Sequence, residues 1–247
     1  MDGPAASPTH LVLIPSYNTG ARLFETVRDA LATWPVVWVV IDGSTDGTRA
    51  GLAQLAAHET RLRVLALPRN RGKGAAVHHG VQAAAAQGFT HVLTLDADGQ
   101  HSIAHIAPMM ALSAAQPQAM VLGRPVFDGT APWERVWGRR ASNALADIAT
   151  GWAGIGDSLF GMRVYPVTPL LRAFAATPWM RRFDFDPEAA IRLCRAGVRP
   201  VNLATPVRYF APSEGGVSHF NYLRDNALLA FMYTRLLIGG LFRPSRR

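Results

Sequence analysis

The chain has 247 residues, of which 49% are hydrophobic and 17% are charged, and its formal net charge is +8. This composition excludes a disordered chain and provides enough apolar side chains for a sizeable core. A single cysteine, Cys194, excludes an internal disulfide and a cysteine-only metal site, and is typical of a reducing compartment.

The charge is unevenly distributed between the two halves. Residues 1–123 hold eight basic and eight acidic side chains, whereas residues 124–247 hold seventeen basic and nine acidic ones. A basic second half favours an anionic partner such as a phosphate group or an anionic membrane surface.

The first half alternates short apolar segments with helical ones. The predicted strands are 10–15, 36–42, 63–67, 91–96 and 119–123, and the predicted helices between them are 21–32, 48–57, 74–87 and 105–114. Strands with apolar residues on both faces, joined by helices, are typical of a parallel sheet covered on both sides. We therefore expect an α/β fold with a mostly parallel, Rossmann-like sheet flanked by helices.

Polar clusters follow four of these strands. They begin at Ser16, Asp42, Pro68 and Asp96. Ligands of open parallel sheets bind at the carboxyl ends of the strands, so these clusters predict a binding site at one edge of the sheet.

The second half loses this rhythm. Residues 133–150 and 186–196 predict helices, 158–165 and 201–209 predict strands, and 211–218 predict a loop rich in Gly, Pro and Ser. The apolar stretch 226–242 is short for a membrane-spanning helix and contains Arg235. It fits an interfacial helix followed by a basic tail as well as it fits a helix packed on the core.

The segment Asp96-Ala97-Asp98-Gly99-Gln100 places two carboxylates two residues apart after a strand. Such oxygen ligands suit Mg²⁺ or Mn²⁺, which would neutralise a diphosphate leaving group. Lys73 lies in a glycine-rich segment before a helix, where it is placed to meet a phosphate. The spacing of a P-loop, the dinucleotide-binding glycine motif, a zinc motif and a nucleophile elbow are all absent.

Four segments together resemble family 2 inverting glycosyltransferases with the glycosyltransferase A fold. They are IPSYN at residues 14–18, IDGSTDGT at 41–48, NRGKGAA at 70–76 and DADGQH at 96–101. Within this family the chain is most similar to polyprenyl (dolichyl) phosphate sugar transferases, with support from FDFDPE at 183–188 and GVSHF at 216–220.

The resemblance implies a nucleotide-sugar donor, a lipid-linked acceptor and a set of site residues. The implied donor contacts are Pro15, Tyr17, Asn18, Asp42, Lys73 and Asp96. The implied metal ligands are Asp96, Asp98 and Gln100, and the implied catalytic residues are Asp98, Asp186 and Glu188. The implied acceptor contacts are Arg124, Arg139, Arg140, Ser218 and His219.

One glycosyltransferase domain is expected, with a donor half at 9–123, an acceptor half at 124–220 and an apolar, basic C-terminal helix and tail at 221–247. The N-terminus lacks the basic and apolar regions of a signal peptide. We expect a cytoplasmic protein that is peripheral on the cytoplasmic face of the inner membrane.

Two acceptor classes remain open. A phosphate monoester is already anionic near neutral pH, so it needs arginines and no protein base. A hydroxyl of a lipid or aryl-polyene-type acceptor needs a carboxylate base, for which Asp184, Asp186 and Glu188 are the candidates. The arginine-rich second half favours the phosphate.

A non-catalytic nucleotide-binding or nucleic-acid-binding protein is the alternative of another class. Aromatic residues are not interleaved with the arginines, and no nucleic-acid-binding motif is present. We therefore expect no nucleic-acid partner.

Overall fold

The computed structural model describes residues 9–127, 133–207 and 221–241. The seven strands are β1 His10–Ser16, β2 Val37–Asp42, β3 Leu62–Leu67, β4 His91–Thr94, β5 Met120–Val126, β6 Arg163–Pro166 and β7 Pro200–Pro206. The α-helices are α1 Ala21–Thr33, α2 Thr48–His58, α3 Lys73–Ala86, α4 Ile106–Ala115, α5 Trp133–Thr150, α6 Val167–Ala175, α7 Phe185–Arg195 and α8 Tyr222–Leu241.

All seven strands form one sheet in the order β3-β2-β1-β4-β6-β5-β7. Only β6 runs antiparallel to its neighbours, β4 and β5, and the other pairs are parallel. Strand β2 lies on one side of β1 in the sheet and β4 lies on the other side. The direction in which strands are added to the sheet therefore reverses between β1 and β4. Such a switch point opens a crevice at the carboxyl ends of the two strands.

The sheet is buried on both faces because successive strand residues enter two different apolar clusters. Leu11 and Leu13 of β1 pack toward α3, α6 and α7, whereas Val12 and Ile14 pack toward α1 and α4. This alternation confirms the predicted α/β fold with helices on both sides of a mostly parallel sheet.

The second half departs further from the sequence prediction. The strand expected at 158–165 is shorter, because residues 157–162 form an irregular segment with a bend, and only Arg163–Pro166 pairs with β4 and β5. Helix α6 was not expected, since it has nine residues and carries Pro169 in its first turn. In the described part of the chain, no helix has the length and apolar character needed to cross a membrane.

Candidate active site

A cavity of about 900 Å³ lies at the switch point, within the range usual for small-molecule sites. Its walls come from the ends of β1, β2 and β4, the start of α3 and parts of α5, α7 and α8. The described residues that line it include Pro15, Tyr17, Asp42, Asn70, Gly72, Lys73, Asp96, Asp98, Gln100, Arg139, Ser142, Arg182, Asp186, Tyr222 and Arg224.

Asn18 is not among the lining residues and instead joins two loops. Its backbone amide donates to Ser44 Oγ at 3.0 Å, and its Oδ1 accepts the backbone amide of Thr45 at 2.8 Å. Its φ of 44° lies in the left-handed region, which asparagine tolerates better than most residues. Its structural setting is therefore the junction of the loops after β1 and β2.

Asp42 is buried at the end of β2 and organises the loop that leads to α3. Its two carboxylate oxygens accept the backbone amides of Arg71 and Gly72 at 2.8 and 2.7 Å. Burial raises the pKa of Asp42, and these two hydrogen bonds oppose that rise. Asp42 also lines the cavity, in the region predicted to hold the nucleotide.

Lys73 is the centre of the charge network. Its Nζ lies 2.6 Å from Asp96 Oδ1 and 2.7 Å from Asp186 Oδ2. Burial opposes the charged form of Lys73, but the two carboxylates outweigh it and raise its pKa. For Asp96, burial alone would raise the pKa, but its contacts with Lys73 and His101 hold that pKa well below its usual range. The network therefore joins α3, the loop after β4 and α7 around fixed charges.

Two buried atoms of this network have no partner within the described residues. They are Asp186 Oδ1 and His101 Nδ1. Asp186 lines the cavity, and a buried polar atom without a partner is a feature that functional sites often carry.

The carboxylate of Asp98 differs from that of Asp96 because it has no ion-pair partner within the described residues. Its Oδ1 accepts the backbone amide of Gln100 at 3.1 Å, and no side chain in the described ranges forms an ion pair with it. Burial, and then the charge of Asp96, raise the pKa of Asp98. Asp96, Asp98 and Gln100 all line the cavity with oxygen donors, which fits Mg²⁺ or Mn²⁺. Within the described residues, however, no three His, Cys, Asp or Glu side chains are already grouped around a metal-sized space.

Glu188, a predicted catalytic residue, is not among the residues that line the cavity. Its side chain is fully buried, with Oε1 2.6 Å from Arg192 Nε and Oε2 2.5 Å from Arg235 Nη2. Asp184, the other base candidate, accepts the backbone amides of Met180 and Arg182 at 3.1 and 2.8 Å. Of the three carboxylates in FDFDPE, only Asp186 lines the cavity.

The predicted acceptor arginines separate into two groups. Arg139 lines the cavity and is oriented by Asp157 Oδ1 at 2.7 Å. Arg124 and Arg140 are exposed and are not among the lining residues. Ser218 and His219 lie outside the described residues.

Several cavity residues were missed by the sequence prediction. Arg182 and Arg224 both line the cavity, and Arg224 pairs with the buried Asp225 at 2.9 Å. Gly161 lies against the charge network: a Cβ there would clash with Asp96 Oδ2 and lie 2.7 Å from Lys73 Nζ. For Arg182 and Arg224, the basic character of the second half was the only sequence signal of a role in the cavity.

Arg163 of β6 is a second residue that the sequence did not single out. It is fully buried, and it donates to the carbonyl oxygens of Phe160, Asp157 and Asp186. It therefore joins the turn before β6 to the first turn of α7, and so positions the backbone that carries Asp186.

The fold and this cavity define a glycosyltransferase of the A fold. The model of glycosyl transferase family 2 matches residues 11–181, and the chain belongs to that family. The family predicted from the sequence is thereby confirmed.

Two kinds of curated relatives match the chain. It is 30% identical over 172 residues to the polyprenol monophosphomannose synthase of Mycolicibacterium smegmatis, a match that covers 66% of this chain and 64% of the relative. It is 27% identical over 200 residues to a dolichyl-phosphate beta-glucosyltransferase of Trichomonas vaginalis, covering 72% of this chain and 58% of the relative. The chain thus spans about three fifths of the length of these relatives.

Solved structures share the fold at low sequence identity. The glucosyl-3-phosphoglycerate synthase of Mycobacterium tuberculosis, solved with Mn²⁺, UDP-glucose and phosphoglyceric acid, matches with a TM-score of 0.61 and 17% identity, covering 96% of this chain and 81% of that one. The S. aureus protein TarS in complex with UDP-GlcNAc matches with a TM-score of 0.59 and 16% identity, covering 94% and 71%. These likenesses confirm the predicted glycosyltransferase A fold.

Proposed function

We propose that this chain transfers a sugar, with inversion, from a nucleotide-sugar donor to a lipid-linked acceptor whose reacting group is a phosphate. The observation that carries the proposal is the cavity at the switch point. It has carboxylates and Lys73 on the β1–β4 side and Arg139 on the α5 side. The names of the curated relatives, which include a polyprenol monophosphomannose synthase, support the same acceptor class.

The donor side is formed by the loops after β1, β2 and β3. Asp42 holds the Arg71–Gly72 backbone, and Arg182 lies beside Gly72. Asp96, Asp98 and Gln100 would hold a divalent cation, which supplies positive charge to the leaving diphosphate when bound. Lys73 keeps Asp96 ionised and in place, so that the site is ordered before the donor arrives.

The transfer itself needs one bond to form and one to break. An oxygen of the acceptor phosphate attacks the anomeric carbon of the sugar from the face opposite the leaving group. As this bond forms, the bond from the same carbon to the diphosphate breaks, and its electron pair leaves with the nucleoside diphosphate. The second pKa of a phosphate monoester is about 6, so the attacking oxygen carries no proton that the protein must remove at neutral pH.

The carboxylates of FDFDPE support a phosphate acceptor more than a hydroxyl acceptor. Glu188 is held between two arginines, and Asp184 accepts two backbone amides. Asp186 Oδ2 is engaged by Lys73 Nζ at 2.7 Å, so this oxygen is not free to accept a proton from an acceptor hydroxyl. One observation favours the hydroxyl alternative: Asp186 lines the cavity, and its buried Oδ1 has no hydrogen-bond partner among the described residues.

The test is release of nucleoside diphosphate from a panel of sugar nucleotides with Mn²⁺, measured with and without polyprenyl phosphate. We expect release that depends on the lipid phosphate and is abolished by Asp98→Asn. Release only with a lipid or phenolic hydroxyl would transfer the acceptor assignment to the alternative, with Asp186 as base. Failure of every sugar nucleotide to bind would contradict the function as a whole.

A matched pair of arginine variants tests the acceptor side. Arg139→Gln removes the guanidinium that lines the cavity, whereas Arg140→Gln removes an exposed one on the next residue. Since a hydrogen bond to a charged group contributes about 1.5–3 kcal/mol, we expect Arg139→Gln to raise the KM for the lipid phosphate by roughly 10- to 100-fold. Arg140→Gln should change it little, and equal effects would contradict the assignment.

A further inference from the structure

The outward side of helix α8 carries an apolar stripe. Leu223 is 88% exposed, Phe231 is 48% exposed and Ile238 is 52% exposed, and Ala227 between them is exposed as well. These residues are spaced by four, four and seven positions, which places them on one face of a helix. The exposed hydroxyl-bearing Thr234 lies between Phe231 and Ile238 on this face and donates to the backbone oxygen of Ala230, so apolar side chains predominate on it.

The inward side of α8 is firmly attached to the protein. Met232, Tyr233 and Leu236 are buried, and the hydroxyl of Tyr233 donates to the backbone oxygen of Ser142 at 2.9 Å. Arg235 pairs with the buried Glu188 of α7 at 2.5 Å. Because this side already has its core contacts, the apolar stripe is a fixed outer surface of the folded chain.

Trp179, in the loop between α6 and α7, extends the stripe. Its ring meets Phe231 edge-on with the centroids 5.2 Å apart, and it is 43% exposed. The guanidinium of Arg235 lies 5.6 Å from the Trp179 ring and 5.9 Å from the Phe231 ring. We call the set Trp179, Leu223, Ala227, Phe231 and Ile238 the docking face.

The charges around the docking face are positive. The only acidic residue of α8, Asp225, is buried and paired with Arg224. Glu188 pairs with both Arg192 and Arg235, so this group of three side chains retains one positive charge. Arg181 is exposed, and it pairs with no carboxylate among the described residues. An apolar surface of this kind, flanked by cations and free of exposed carboxylates on its helix, complements an anionic bilayer.

The first turns of α8 also belong to the cavity wall. Tyr222, Asn226 and Leu229 line the cavity, while Leu223 and Ala227 of the same turns are exposed and absent from its lining. One helix therefore joins the catalytic cavity to the outer apolar surface.

We propose that the docking face lies flat on an anionic membrane and so brings the cavity to the lipid–water interface. The acceptor phosphate would then enter along the first turns of α8 while its hydrocarbon chain stays in the bilayer. The second statement rests on the proposed function, whereas membrane docking itself does not.

Vesicle sedimentation tests docking without any substrate. The full chain is mixed with vesicles of phosphatidylcholine alone or of phosphatidylcholine with phosphatidylglycerol. We expect binding to the anionic vesicles, weakened by salt, and a loss of roughly tenfold or more in affinity for the double variant Leu223→Ser, Phe231→Ser. The control is Ile148→Ser, which removes a side chain of α5 that is 53% exposed and lies outside the docking face.

Three outcomes would overturn the proposal. The first is vesicle binding by the double variant that equals that of the native chain, and the second is an equal loss of vesicle binding in Ile148→Ser. The third is that neither the native chain nor the double variant binds vesicles, while the native chain is a dimer and the double variant is a monomer. The last result would assign the face to a second copy of the chain. Thermal unfolding of each variant confirms that it is folded.

A transfer assay separates this proposal from the proposed function. The double variant should keep its activity on a short-chain, water-soluble polyprenyl phosphate and lose it on a long-chain one embedded in vesicles. An equal loss on both substrates would contradict docking as the cause. Absence of transfer by the native chain on every acceptor, with vesicle binding intact, would contradict the proposed function and leave docking supported.

Discussion

The two ends of strands β1 and β4 differ in how completely their ionisable side chains are paired. At the amino ends, His10 and His91 stack with ring centroids 4.3 Å apart, and each ring nitrogen has a hydrogen-bond partner. At the carboxyl ends, Asp98 lacks a partner for its charge, and the buried atoms Asp186 Oδ1 and His101 Nδ1 lack any partner in the described residues.

This difference shows that the two ends contribute differently to the stability of the folded chain. Burial lowers the pKa of His10 to about 4, so the histidine end is neutral and fully hydrogen-bonded at neutral pH. The cavity end keeps charges that a ligand would satisfy. A site that is incomplete without its ligand is strained in the free protein and ready for binding.

The largest expected effect is that of Asp98→Asn at the cavity end. We expect transfer to fall by about 10²–10³-fold, because the change removes one of the carboxylates that we propose to hold the metal ion. The free energy of unfolding should stay the same or rise, because burial and Asp96 already disfavour the charge of Asp98. Transfer rates and urea unfolding at pH 7 measure the two effects. A large loss of stability would show that this carboxylate is structural.

Glu188→Gln tests whether a fully paired carboxylate near the cavity stabilises the fold, as the fully hydrogen-bonded histidines at the amino ends do. Removing the charge leaves Arg192 and Arg235 without their shared partner, so we expect a loss of about 3 kcal/mol in the free energy of unfolding. The control Glu25→Gln breaks an exposed pair with Arg22 and should cost less than about 1 kcal/mol. Normal stability with abolished transfer would instead restore Glu188 as a catalytic residue.

Acidification tests the histidine end. The pKa of His10 is lowered from 6.5 to about 4 in the folded chain, so the unfolded chain takes up a proton first as the pH falls. Stability is therefore complete above about pH 6.5 and decreases toward pH 4, with a loss of about 2 kcal/mol by pH 5 from this group. Urea unfolding at pH 7 and pH 5 measures it.

The comparison for that measurement is a pair of histidine variants. His10→Gln should weaken the pH dependence, and His58→Gln, which removes an exposed histidine of α2, should leave it unchanged. An equal slope in native chain and His10→Gln would mean that the stacked pair does not set the acid sensitivity.

The smallest expected effect is that of Gly161→Ala. Its Cβ would displace Asp96 and Lys73 while leaving their charges in place. We expect roughly tenfold weaker binding of nucleoside diphosphate with Mn²⁺, or about 1.4 kcal/mol, measured by calorimetry. Gly239→Ala in α8, where a Cβ would meet no atom within 4 Å, is the control and should bind as the native chain does. Native affinity in Gly161→Ala would show that the network tolerates displacement.

The first half of the chain was predictable because its strands and helices alternate with clear periodicity. The predicted strand 36–42 is β2 Val37–Asp42, and the predicted helix 21–32 is α1 Ala21–Thr33. The same regularity placed Asp42 and Asp96 at strand ends, where both line the cavity.

The rest depends on contacts between distant residues. Arg163 acts through an antiparallel strand inserted between β4 and β5, and no local pattern reveals that pairing. Glu188 pairs with Arg235, which lies 47 residues further along the chain, so the local sequence does not reveal this contact either. Sequence motifs identify which residues carry chemistry, but tertiary packing decides which of them face the cavity.

The solitary lysine has a practical consequence. Lys73 is the only lysine in the sequence, so it carries the only side-chain primary amine that an acylating reagent would meet. The two carboxylates keep its Nζ protonated and burial shields it from solvent, and a protonated amine is a poor nucleophile. Covalent labelling at this one position therefore reports directly on how often the pocket loosens, and mass spectrometry can count such openings without any engineered probe.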